Sequence, residues 1–144
     1  MLKKFEADWQ QRSRFFLGAF DRLTNEFVAQ IYIGVVSQDL PEFELGYFVE
    51  AGHEDRGYIV EAAIAALQLI FDDLQASRVR LECDDTNLRS RRVAERCGFV
   101  QEGQIRQNKK NADGTFTGTL FFGMLRNEYE ILKNDRWGKD KVKR

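Results

Sequence analysis

The chain is poor in the residues that would narrow its chemistry quickly. Two cysteines, Cys83 and Cys97, and one histidine, His53, among 144 residues are too few for a disulfide scaffold, and they lack the spacing of a zinc site. Reduced thiols, and with them a cytoplasmic protein, are expected. Pro41 is the sole proline, and no repeat or low-complexity stretch interrupts the chain, so no domain linker is visible. No apolar run is long enough to span a bilayer, and the basic start MLKKFEADWQ has no continuous apolar core. A soluble protein with no membrane partner is expected. Nor is there an excess of one charge: 22 Lys and Arg stand against 23 Asp and Glu, which argues against nucleic acid as a partner.

What is present suits one packed domain, residues 1–144, since 43% of the chain is hydrophobic. Leu2, Phe5, Trp9 and Phe16 recur at near-helical spacing, which predicts an opening amphipathic helix of about 14 residues. Aromatic and β-branched residues then predict strands at Phe15–Arg22, Phe27–Val36 and Phe43–Val49, with Thr24-Asn25-Glu26 as a hairpin turn. Apolar positions from Ile59 to Leu74 predict a helix over Tyr58–Leu74. A strand at Arg78–Cys83, a short helix at Asn87–Arg96 and a strand pair at Phe99–Gln107 and Thr117–Arg126 complete the order α, β, β, β, α, β, α, β, β. Residues 128–144 read as a helical or frayed basic tail, with KNDRWGKDKVKR solvated. The aromatic strand TFTGTLFFGML offers apolar surface for a homodimer. The 12 phenylalanines lack the interleaved basic patch of a base-stacking platform and read as core and interface.

The junction VEAGHEDRGYIVEA carries the first chemical signal. A glycine-bearing loop entering a helix presents unpaired N–H groups and the positive end of the helix dipole, both suited to phosphate. Arg56 would add a charge-assisted bond. The plainer reading is that Asp55 caps the helix and Gly57 eases the turn.

The junctions accumulate. GYFVEAG, a glycine turn, EAAIAALQLIFDDL, RVRLECDDTN, LRSRRVAERCGF and VQEG together resemble the GNAT superfamily of N-acetyltransferases, over roughly residues 42–126. The most specific block is N-x-x-S-x-R-V-A-E-x-x-G-F-x-x-E-G from Asn87 to Gly103, and the likeness is to the branch containing ribosomal-protein N-terminal acetyltransferases. The resemblance implies a single-domain α/β (α+β) fold: a mixed, mostly antiparallel sheet flanked by helices, here lacking the usual first strand and helix. It implies acetyl-CoA as acyl donor, no metal, and direct transfer to a primary amine, either a protein N-terminus or a small amine. In that frame Arg56, Gly57, Tyr58 and Ile59 would wrap the pyrophosphate, and Phe48 and Val49 would pair through their backbone with the pantetheine arm. Asn87 would bond that arm from the other wall, and Ser90 would sit near the thioester sulfur. Asn87 and Ser90, three apart at a helix start, share one face. Arg89, Arg91, Arg92 and Arg96 form mostly the exposed remainder of that helix, one of them within reach of the phosphates, and Gly98 ends it.

The loop departs from the family pattern at Gly52 and Asp55, and a carboxylate at 55 opposes phosphate unless it turns away. These departures keep a second reading open, a shortened, catalytically weak coenzyme-binding or interaction module. For transfer, the resemblance makes the Val49 N–H the oxyanion donor, Ser90 would assist the departing sulfur, and the base would be Glu44 or an ordered water chain ending in a carboxylate, the plainer reading of Glu44 being a solvated strand carboxylate. The stretch RQNKKN lacks the glutamate that some related enzymes use. Cys83 has no histidine to activate it and reads as a buried apolar residue, as does Cys97. Asp72, Asp73, Asp84 and Asp85 are acids that would attract a cationic amine.

Overall fold

A computed structural model describes residues 14–49 and 57–137. The predicted opening helix, and with it His53, Asp55 and Arg56, lie outside the described residues.

The chain opens as an antiparallel meander of β1 (Arg14–Phe20), β2 (Phe27–Ser37) and β3 (Glu42–Val49). The turn between β1 and β2 is held by Asp21, whose Oδ1 accepts from the N–H of Leu23 at 2.8 Å and of Thr24 at 3.1 Å. A crossover through α1 (Tyr58–Gln68), widened into a π-helical turn at Leu69–Asp73, returns the chain to β4 (Arg78–Asp84), parallel to β3. Then follow α2 (Leu88–Cys97), β5 (Val100–Lys110), β6 (Phe116–Leu125), α3 (Arg126–Leu132) and a wide final turn at Lys133–Trp137. The six strands lie in the order β1-β2-β3-β4-β6-β5, and β3–β4 is the parallel pair of an otherwise antiparallel sheet.

Alternation fixes which face is buried. Ile31, Ile33, Phe43, Leu45, Val79, Leu81, Phe122 and Met124 share one face and are each at most 3% exposed. Ile59, Ala63, Ala66 and Leu67 of α1 cover it, and the alanines let the helix approach closely. Each large apolar side chain buried there contributes about 1.5–3 kcal/mol. The helix α2 adds Val93, Ala94 and Cys97. It ends at Gly98, whose φ of 96° is left-handed and calls for glycine, and against which a methyl of Leu132 packs where a Cβ would stand. Both cysteines are buried, as expected of small apolar residues.

Three expectations change. Phe16 continues no helical stripe: it lies in β1, opposite Tyr32, with ring centroids 5.4 Å apart. Phe16, Phe20, Phe27, Phe48 and Phe116 are exposed, so the phenylalanines divide between core and surface. Of the tail, read as helical or frayed, the part up to Trp137 is helical, and the solvated reading changes at Trp137, which is buried. Phe71 stacks on Tyr129 at 4.5 Å while Trp137 meets Tyr129 edge-on at 5.6 Å; two buried aromatics outweigh the basic residues around them. Finally, β6 is an interior strand between β4 and β5, and its apolar side chains Leu120, Phe122 and Met124 are in the core. Its inner face is therefore taken up within the chain, while Phe116 and Leu125 at its two ends stay exposed.

Candidate active site

Hydrogen bonding between β3 and β4 stops early. The register runs Glu42↔Arg78, Phe43↔Val79 and Glu44↔Arg80, and ends there, although β3 continues to Val49 and β4 to Asp84. Each strand keeps its outer neighbour to the end, Val49 opposite Ala29 on β2 and Asp84 opposite Thr119 on β6. Two twisted half-sheets thus part like a wedge, with Glu44 and Arg80 at its apex. A cleft of about 530 Å³, a size usual for small-molecule sites, lies beside the wedge. One wall is Tyr47, Phe48 and Val49 of β3 with Ile59 of α1, and the other runs from Thr86 through Ser90 to Val93.

The second wall is built by local hydrogen bonds. Asp84 Oδ1 accepts from the N–H of Thr86 at 2.9 Å and from its hydroxyl at 2.6 Å, while Oδ2 accepts from the Thr117 hydroxyl at 2.7 Å. These bonds, the Thr86 hydroxyl foremost, hold the carboxyl down to about 2. Asn87 then caps α2, its Oδ1 accepting the Ser90 N–H at 3.0 Å, a bond of a kind that contributes about 1 kcal/mol. The cap uses the amide oxygen; the two Nδ2 donors take no part in it. Ser90 is fixed further by Tyr47, which donates to the Ser90 carbonyl at 2.8 Å and accepts from the Ser90 hydroxyl at 3.2 Å. Burial pushes the Tyr47 phenol well above its usual range, against the partial opposition of Ser90. Burial also pushes the Cys83 thiol up, with the Ser90 hydroxyl opposing, so Cys83 stays a thiol and is a poor nucleophile.

The first wall ends at the start of α1. Gly57 has φ 75°, makes no side-chain cap, and would have nothing within 4 Å of an added Cβ. Its conformation calls for glycine, and among the described residues nothing crowds its Cα. Tyr58 turns its hydroxyl to Asp21 Oδ2, tying α1 to the β1–β2 turn; that bond and the turn N–H groups hold Asp21 at about 2.

The expected site residues therefore divide. Phe48, Val49, Ile59, Asn87 and Ser90 meet at one cleft. Gly57 and Tyr58 begin the helix beside it, and the Tyr58 side chain is committed to Asp21. Glu44 lies at the wedge apex, its Oε2 accepting from Arg80 at 3.1 and 3.3 Å. Arg89 and Arg92 line the cleft, whereas Arg91 pairs with Glu95 at 3.1 Å. Sequence reasoning missed Tyr47 and Thr86. Tyr47 looked like one more strand aromatic, and its step of two from Leu45 and Val49 was the available signal. Among the described residues no group of His, Cys, Asp or Glu could hold a metal, and no helix is long and apolar enough to cross a membrane.

A mixed sheet opened between two parallel strands, with one helix start at each side of the opening, defines an α/β ligand-binding class. Comparison with known proteins narrows it. Residues 1–100 match the acetyltransferase (GNAT) domain model, and the chain belongs to that family. A Bacillus subtilis protein named as a ribosomal N-acetyltransferase, YdaF, is 30% identical over 87 residues, which is 60% of this chain and 47% of that protein. YjcK of the same organism, named as an N-acetyltransferase, is 29% identical over 109 residues, 75% of this chain and 58% of its own. The chain thus spans about half the length of these relatives. Among solved structures, the Vibrio cholerae spermidine/spermine N-acetyltransferase SpeG superposes with a TM-score of 0.77 at 16% identity, over 88% of this chain and 75% of that one, a likeness of fold.

Proposed function

We propose that the chain is an acetyl-CoA-dependent N-acetyltransferase that moves the acetyl group directly to a primary amine. The observation that carries this reading is the early end of β3–β4 pairing, which leaves β3 backbone facing the Asn87–Ser90 turn across the cleft. The residues present fit a long anionic donor. The α1 start turns the positive end of its helix dipole toward the cleft behind a left-handed glycine, Arg89 and Arg92 line the cleft with positive charge, and its lining is partly apolar.

The thioester would supply an activated acyl carbon. Arg56, Gly57, Tyr58 and Ile59 would hold its phosphates, with Tyr58 acting through its backbone. Phe48 and Val49 would align the pantetheine, and Asn87 would donate to it from Nδ2. The Val49 N–H would meet the developing oxyanion, and the Ser90 hydroxyl the departing sulfur. Glu44 is placed on the face opposite Tyr47, where an amine entering the wedge would meet it, and would accept the proton through water. A protein N-terminus is the acceptor class suggested by YdaF's name, and a small polyamine the class suggested by SpeG's. The enzyme would act in the cytoplasm, and a homodimer would draw on the exposed apolar residues of β6, Phe116 and Leu125. A coenzyme-binding module without transfer is the alternative, motivated by the carboxylate of Asp55 in the loop sequence before α1.

Release of free thiol from acetyl-CoA in the presence of mixed amines and N-terminal peptides tests the reading. Binding with release is expected; binding without release across the panel would favour the module.

A further inference from the structure

We infer that Tyr47 is the positioning residue of Ser90: its phenol holds the Ser90 backbone in place and parks the Ser90 hydroxyl until a thiolate needs it. The inference rests on the acetyl-transfer reading and deepens it.

Ser90 is gripped at three atoms. Asn87 Oδ1 accepts its N–H at 3.0 Å, Tyr47 donates to its carbonyl at 2.8 Å, and its hydroxyl donates to Tyr47 at 3.2 Å. The two bonds that fix the backbone are the shorter ones, and the bond that engages the reactive hydroxyl is the longest and weakest. This is the order expected if the main chain must stay and the hydroxyl must turn. The Ser90 hydroxyl has a single proton, and in the resting arrangement that proton faces Tyr47. When the C–S bond of a thioester in the cleft breaks and the C–N bond forms, negative charge collects on sulfur. The hydroxyl can then rotate and donate to that sulfur, without transferring its proton, while the amine loses its own proton to the base.

Tyr47 makes this rotation cheap. Its phenol keeps its bond to the Ser90 carbonyl when the hydroxyl leaves, so no buried donor is orphaned. Burial keeps the phenol protonated, so it remains a donor across ordinary pH. Cys83 approaches the same hydroxyl from β4 and, being a thiol, competes weakly for it. Tyr47 itself acts through Ser90, from the strand wall opposite.

The test uses the full chain with Tyr47→Phe, which keeps the ring in the wall and removes the hydroxyl alone. Relative to wild type, kcat should fall roughly 10- to 100-fold with KM for acetyl-CoA within about twofold. Ser90→Ala should fall similarly, and the double variant no further than either single one. An acetyl thioester of a more acidic thiol needs less help in leaving, and should restore much of the lost rate in both variants; a merely structural defect would not respond to the leaving group. Wild-type kcat in Tyr47→Phe, additive losses in the double variant, or a loss confined to KM would overturn the inference while leaving the acetyl-transfer reading standing. Absence of thiol release by the wild type with every acceptor would overturn both.

Discussion

Two helices begin at the mouth of the cleft, and they begin in opposite ways. α1 starts at a left-handed glycine, which has no side chain to cap with and whose Cα is uncrowded among the described residues. α2 starts behind a collar of side chains, in which Asp84 gathers Thr86 and Thr117, and Asn87 caps the Ser90 N–H. A glycine start brings no side chain of its own to the first N–H groups, whereas a start capped by its own side chain is rigid before any ligand arrives. The difference assigns the labour of the site. The open start is suited to hold charge, and the closed start to hold a hydroxyl still.

Substitutions at the closed start should act on turnover and those at the open start on affinity. The largest effect is expected at Ser90: Ser90→Ala should lower kcat about 100-fold with acetyl-CoA affinity nearly unchanged, read by steady-state kinetics beside calorimetry. An equal loss in affinity would merge the two roles. Glu44→Gln comes next, with a fall in kcat of roughly 10- to 100-fold and KM for acetyl-CoA within about twofold. An unchanged kcat would leave Glu44 as the partner of Arg80 alone. At the open start, Gly57→Val forces a β-branched residue to φ 75°, and should cost about 1–2 kcal/mol of stability by thermal unfolding. It should also weaken acetyl-CoA binding about tenfold by displacing the first N–H groups.

The smallest and sharpest effect concerns Asp84. Its carboxyl is held at about 2, below the ordinary 3.8, so it binds protons less readily folded than unfolded. The stability it lends is complete above about 4 and is lost as pH falls toward 2. A carboxyl titration followed by NMR should give that low value, and Thr117→Val should raise it. An Asp84 midpoint near 4 in the wild type would mean that the collar is not formed.

The two helix starts also differ in how far the sequence discloses them. Asn87 and Ser90 stand out because a cap is local, three residues apart, and the same spacing that lets Asn87 bond the Ser90 N–H lets a reader pair them. Gly98 was legible for the same reason. The wedge was not, because the end of pairing at Glu44 depends on how β2 and β6 draw the half-sheets apart, and no residue in β3 or β4 signals it. The role of Tyr47 depends on α2 lying 43 residues along the chain, so period-two alternation placed it on the right face without naming its partner. Phe16 was ambiguous because it fits both a helical stripe and a strand, and pairing with Tyr32 decides it. In the tail, the spacing of Tyr129 and Trp137 was masked by the basic residues between and after them; Phe71, which Tyr129 stacks on, comes from α1's wide turn.

Calorimetric titration of acetyl-CoA into the wild type and into Asn87→Ala tests the central claim most directly, since Asn87 is both the cap of the closed start and the proposed donor across the wedge. Binding by the wild type, weakened about tenfold or more in Asn87→Ala, is the predicted result. Equal binding by both would place the coenzyme elsewhere, and no binding by the wild type would contradict the account of the cleft itself.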